Sequence, residues 1–262
     1  MERLRNIKLF LFDMDGTLYL GDRLYDFTKA LLSSIRQQGG RYLFMTNNSS
    51  KSVQAYIEKL EKLGITATKE DFITSSQATA WYLLKHHPGK TLYVCGTRSL
   101  KEELESYGFP ITEDVDKTEC IVMGFDTELT FQKLWDISFM LSTRELPYIA
   151  TNPDYVCPTE FGSVPDCGSV CDMLYNATGK RPVVIGKPEP LMPRLAMEKT
   201  GYTPEQTAVI GDRIYTDIKS GLNAGALAIL VMSGETTQEI LEASAEKPHI
   251  VLPDAGYIQE YL

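Results

Sequence analysis

Apolar residues along this chain fall into two repeating patterns. Short unbroken runs alternate with stretches in which apolar positions recur every three or four residues. The runs predict strands buried on both faces, and the stretches predict amphipathic helices. Leu9–Phe12 is the first such strand. Phe27–Gln38 follows as a helix closed by Gly39-Gly40, and Arg41–Met45 is a second strand, running into "TNNSS". Ser52–Leu63 has helical periodicity, with a serine ahead of it as cap and Gly64 as stop. Towards the other end, Val183–Ile185 reads as a strand followed by a helix opening around Pro190–Pro193. Thr207–Ile210 is a strand ending in "GDRIYTD", then a helix to Ala224, then a strand at Leu227–Val231. Repeated strand–helix units predict a doubly wound α/β fold, a parallel sheet with helices on both faces.

The middle of the chain repeats the same alternation. Strands are expected at Thr91–Cys95, Cys120–Met123 and Tyr148–Ala150, and helices at Ser99–Tyr107 and Thr130–Arg144. This stretch is read as a second α/β unit over residues 80–181, inserted into a core made of residues 1–79 and 182–262. Trp81 and Trp135 follow helical spacing and are expected in the core. His86-His87 is expected at an exposed helix end, ahead of Pro88-Gly89.

Size and charge narrow the function. The 262 residues, 43% of them hydrophobic, can build one large domain or two modest ones. Lys and Arg number 26 against 35 Asp and Glu, a formal net charge of −9, which argues against nucleic-acid backbone binding. No apolar run approaches the roughly 20 residues of a membrane helix, and "MERLRNIKLFLF" is a poor signal peptide. Cys95, Cys120, Cys157, Cys167 and Cys171, odd in number and irregular in spacing, read as free thiols of a cytoplasmic protein.

Polar residues gather where strands end. Asp13 and Asp15 follow the first strand; Thr46 and Asn47 follow the second; Lys187 follows "VVIG"; Asp212 follows "TAVIG", with Asp217 five residues on. Ligands of open parallel sheets bind beyond the carboxyl ends of the strands, so these residues are expected to share one crevice. At least three carboxylates with one lysine form an oxygen-rich site suited to a hard cation, Mg2+ above all. The cation and Lys187 would offset the repulsion between the acids and draw in an anion.

These motifs resemble those of the haloacid dehalogenase (HAD) superfamily. "DMDGT", "TNN", "GKP" and "GDRIYTD" are similar to its four motifs and stand in the same order. The insertion between the second and third resembles the large α/β cap of class IIA, the NagD-like phosphatases, and "TNPDYVCPTEFGSVPDCGSVCDMLYNATGKRPVVIGKPEP" resembles the return from cap to core. Leu18–Asp26 resembles the family's flap. The resemblance implies a Rossmann-like HAD core and a Mg2+-dependent phosphatase of small phosphate monoesters, acting through an aspartyl-phosphate. Sugar phosphates, nucleoside monophosphates and p-nitrophenyl phosphate are candidate substrates.

Carried over residue by residue, it makes Asp13 the nucleophile and Asp15 the acid that protonates the leaving oxygen. Thr46 would hold phosphoryl oxygens with Asn47, and Asn48 and Asp154 would join Asn47 in binding substrate. Lys187 would pair with nucleophile and phosphoryl group. Asp13, the Asp15 main-chain oxygen and Asp212 would bind Mg2+, with Asp217 in support. The chain departs from the family at Pro165-Asp166, where Pro-Gly is common. A phosphomutase and a non-catalytic phospho-ligand binding protein on the same scaffold are the alternatives. A dehalogenase would have no use for Asp15. The expected partner is a small phosphorylated metabolite, with no nucleic acid or membrane, and the protein a monomer or homodimer.

Overall fold

A computed structural model describes residues 2–159 and 161–262. Met1, and Glu160 within the return segment, lie outside the described residues. The chain forms two compact units. One contains Met1–Thr46, Val53–Ile73 and Lys187–Leu262; the other contains Asn47–Ser52 and Thr74–Gly186.

The first unit is built on a six-stranded sheet. From one edge its strands are Ile250–Leu252, Leu227–Val231, Thr207–Gly211, Leu9–Phe12, Arg41–Thr46 and Phe72–Thr74. The Leu9–Phe12 strand is parallel to both neighbours, with Phe12 level with Ile210 on one side and Phe44 on the other. The central strands are buried along their length, as expected of a parallel sheet covered on both faces. Phe10, Phe12, Phe44 and Phe72 fill one side with Leu31 and Ile35 of the Thr28–Gln37 helix and Tyr56 and Leu60 of the Val53–Lys62 helix. Such a core fixes where the strands stop, and the strand ends carry the polar residues. Leu18–Asp26 contains a short antiparallel pair, Tyr19–Leu20 with Arg23–Leu24, turning at Gly21 with φ +58°.

The second unit has a four-stranded parallel sheet in the order Val183–Val184, Tyr148–Ala150, Cys120–Met123, Leu92–Cys95. Its helices are Ser75–His86, Arg98–Ser106, Phe131–Thr143 and Cys167–Thr178. An antiparallel hairpin, Val156–Thr159 with Gly162–Pro165, precedes the last of them. The Val183–Val184 strand therefore pairs in the inserted unit, not in the core sheet. Two residues of pairing suffice to close the smaller sheet, and the chain passes into the first unit at Lys187.

Trp135 corrects another expectation. It is 64% exposed, with Phe131 and Phe139 at i−4 and i+4 beside it on the open face of their helix. Ile137, Met140 and Leu141 occupy the buried face. Spacing alone places aromatic residues on one stripe of a helix but does not say which stripe meets the core. Trp81 is half-buried. His86 is exposed at the end of its helix, its ring stacked on Tyr82 at 4.4 Å between centroids. None of the five cysteines forms a disulfide. No helix among the described residues is long and apolar enough to cross a membrane.

Candidate active site

Asp13 leaves the Leu9–Phe12 strand with its backbone N–H still bonded to the Ile210 carbonyl, so the sheet ladder holds its position. Its carboxylate accepts a 2.6 Å hydrogen bond from the Lys187 ammonium. The same ammonium donates to Asp217 at 2.5 Å and lies 3.4 Å from the Met45 carbonyl. Lys187 thus arrives from the crossing between the units, not from the end of a core strand, and reaches the cluster along its own side chain.

Asp212 and Asp217 come from the segment after the Thr207–Gly211 strand. Ile214–Ile218 is a turn of π-helix, a wider winding than the α-helix that continues from Lys219. Asp217 lies wholly buried within it, its second oxygen accepting the Arg213 N–H at 3.1 Å. One Asp212 oxygen accepts the Glu235 N–H at 2.7 Å, while the other, Oδ1, is buried without a hydrogen-bond partner. One carboxylate oxygen each from Asp13, Asp212 and Asp217 falls within a 4.8 Å span of the others, the one such acidic group among the described residues.

The electrostatics follow from three clustered acids, two of which share one buried lysine. Burial pushes the Asp13 carboxyl up to about 8; Lys187 opposes this, while Asp217 and Asp212 add to it. Burial, then Asp217, raises Asp212 to about 6, against the Glu235 N–H and Arg213. Burial disfavours the Lys187 charge, but Asp13 and Asp217 more than offset it and raise its pKa. With every group ionised, two negative charges are left over. A divalent cation would balance them, and the unpartnered Asp212 Oδ1 is a ready ligand. The donor set, all oxygen, fits Mg2+.

Glycines keep space around these acids. A Cβ on Gly16, whose φ is +85°, would stand 2.5 Å from Asp212 Oδ2, and one on Gly234 would run into the same carboxylate. Gly211 bears likewise on Asp217. Gly234→Ala is therefore expected to weaken divalent-cation binding at least ~10-fold while the fold survives. Calorimetric titration of the folded variant with Mg2+ checks this; unchanged affinity would count against Asp212 as a ligand.

Asp15 stands apart from the buried cluster. Its side chain is 58% exposed, accepts a long hydrogen bond from the Gly21 N–H at 3.4 Å and has the Lys59 ammonium 4.0 Å away. Solvent access of this kind suits a group that exchanges protons with substrate and water. Thr46 is the last residue of its strand and is buried.

The loop of residues 232–236 is a part of the site that sequence reasoning missed. Ser233 donates to the Gly16 carbonyl at 2.7 Å, the Thr236 N–H donates to the Asp212 carbonyl at 3.2 Å, and Glu235 pairs with Arg213 at 2.8 Å. The signal was available, because "SGETT" follows a buried strand just as "DMDGT" does.

Within the second unit, Asn47 and Asp154 meet. The Asn47 amide donates to Asp154 at 2.7 Å. The Asn48 side-chain oxygen Oδ1 accepts from the Ser50 N–H at 2.9 Å and the Ser50 hydroxyl at 2.8 Å.

Comparison with known proteins gives this geometry a family. Residues 10–110 match the haloacid dehalogenase-like hydrolase model, and residues 184–256 match the HAD-hydrolase-like model. The chain belongs to the HAD hydrolases, as a NagD-like phosphatase. It is 33% identical to an acid sugar phosphatase of Staphylococcus saprophyticus over 97% of this chain and 98% of that one. It is also 33% identical to a 5'-nucleotidase of Bacillus subtilis, over 94% of each chain. Among solved structures, a 4-nitrophenylphosphatase of Thermotoga maritima superposes with a TM-score of 0.94 at 39% identity, covering 98% of both chains. The family fixes the α/β architecture and the phosphatase class.

Proposed function

We propose that this HAD phosphatase hydrolyses small phosphate monoesters with Mg2+ and through an aspartyl-phosphate on Asp13. The observation that carries the reading is the Asp13 carboxylate, fixed at a strand end and held at 2.6 Å by a buried lysine. The names of its relatives make sugar phosphates, nucleoside monophosphates and p-nitrophenyl phosphate the substrates of choice.

In this reading one Asp13 oxygen attacks phosphorus and the ester P–O bond breaks. Asp15 gives its proton to the departing alkoxide. Asp15, now a carboxylate, takes a proton from water, and that water attacks phosphorus to release inorganic phosphate and restore Asp13. Lys187 neutralises charge on the nucleophile and on the phosphoryl oxygens, while Thr46 and Asn47 hold those oxygens and Asn48 lies near substrate. Asp13, Asp212 and the Asp15 main-chain oxygen would hold Mg2+, with Asp217 beside them. When bound, the ion supplies electrostatic stabilisation to the phosphoryl group. The inserted unit is read as the substrate-selectivity cap, which favours small metabolites over folded phosphoproteins. A cytoplasmic location completes the reading.

Leaving-group dependence tests the role of Asp15. Asp15→Asn is expected to lower kcat/KM at least ~100-fold for a sugar phosphate, whose alkoxide needs a proton. The loss should be under ~10-fold for p-nitrophenyl phosphate, whose leaving anion is stable without one. Equal losses on the two substrates would remove Asp15 from this role.

A further inference from the structure

Asn47 is held by a chain of side chains within the second unit. Its amide nitrogen donates to Asp154 Oδ2 at 2.7 Å. Asn152 donates to the same oxygen at 2.9 Å and to Asp166 Oδ1 at 3.1 Å. Asp166 in turn caps the Cys167–Thr178 helix, its Oδ1 accepting the Cys167 N–H at 2.5 Å. Asn152 is 1% exposed and Asp166 5%. A buried helix end thus anchors a carboxylate, an amide and a second carboxylate in series.

An ionised carboxylate accepts hydrogen bonds and cannot donate them. Asp154 therefore forces the nitrogen of Asn47, not its oxygen, to face it and excludes the flipped amide. The backbone around Asn47 is fixed as well. The Ser75 hydroxyl donates to the Asn47 carbonyl at 2.6 Å, and the Phe125 N–H donates to the Ser49 hydroxyl at 2.9 Å. The Thr151 hydroxyl lies 2.9 Å from the same Ser49 oxygen. A Cβ on Gly186 would come within 2.6 Å of Asn47 Oδ1, so that position is kept open for the amide.

We propose that Asp154 is a positioning residue, and that the Asp166–Asn152–Asp154 chain fixes the Asn47 amide through one of its two Nδ2–H donors and leaves the other for a phosphoryl oxygen. The proposal rests on the role given to Asn47 above. It replaces the expectation that Asp154 itself contacts substrate, and it gives Asp166, the departure from the family's Pro-Gly, a function. Sub-ångström placement of such donors governs turnover, so the effect should be kinetic.

The test is a double-mutant cycle in steady-state hydrolysis of p-nitrophenyl phosphate with Mg2+. Asn47→Ala and Asp154→Ala are each expected to lower kcat ~10–100-fold, and the double variant no further than the worse single one. Asp154→Asn, which keeps the shape and one accepting oxygen, should recover most of the loss in the Asn47 background. In the Asn47→Ala background, Asp154→Asn and Asp154→Ala should be indistinguishable. If Asp154→Ala fails to fold by circular dichroism, the Asp154→Asn cycle carries the test alone, with a smaller loss that Asn47→Ala abolishes. Multiplying effects, or an Asp154 variant that changes only KM, would overturn the proposal in favour of direct substrate contact. Full activity in folded Asp154→Ala would overturn it too. A wild-type protein with no phosphate release would instead defeat the function proposed above, a result separable from all of these.

Discussion

Asp13→Asn is expected to abolish turnover, lowering phosphate release at least ~10⁴-fold, with the fold intact. Loss of the proposed covalent nucleophile costs on this scale because proton transfer by Asp15 and charge stabilisation form no bond to phosphorus. The substitution keeps the side chain's size and its place at the strand end. It also removes one of three acids that burial and mutual repulsion disfavour, since the Asp13 carboxyl is pushed up to about 8. Lys187 retains Asp217 at 2.5 Å and is not orphaned. The melting temperature should therefore stay level or rise, which separates a chemical defect from a folding one. Phosphate release and a thermal melt on the same sample check both halves. Residual activity within tenfold of wild type would remove Asp13 as nucleophile.

Lys187→Met is expected to damage both activity and stability. It leaves the part-buried Asp13 and the fully buried Asp217 without the ammonium they share. Breaking a buried ion pair from one side costs about 3–5 kcal/mol, because the remaining charge has no partner. Activity should drop at least ~10³-fold, since the proposed mechanism also places Lys187 on the phosphoryl oxygens. Mg2+ should return part of the lost stability to the variant, and EDTA should take it away, because ligand binding to the folded state alone shifts unfolding. Chemical unfolding with and without Mg2+ measures this. A variant as stable as wild type in EDTA would show that the pair contributes nothing to the fold.

Much of this arrangement was readable in the sequence, and the misses have physical causes. Leu9–Phe12 and Leu227–Val231 announced themselves because strands buried on both faces are continuous apolar runs. The acids after Phe12 and Gly211 then had only one place to go. The Val183–Val184 strand was assigned to the wrong sheet because two paired residues carry no information about their neighbour. Lys187 was still found, since its motif marks it whichever strand precedes it. The Val156–Thr159 and Gly162–Pro165 hairpin passed unnoticed because its largely exposed strands lack apolar alternation. Trp135 was misplaced because helical spacing defines a stripe without saying what faces it. The "SGETT" loop was overlooked because it contributes backbone groups and small side chains, such as the Glu235 N–H on Asp212, which composition does not reveal.

The most direct measurement is to trap the covalent intermediate. Acid quenching of wild-type protein during turnover of p-nitrophenyl phosphate, followed by borohydride reduction and peptide mass spectrometry, reads out any acyl-phosphate. Modification confined to Asp13, and absent when substrate is omitted, is the predicted result. Active protein with no modification at Asp13, or with modification at another residue, would contradict the account.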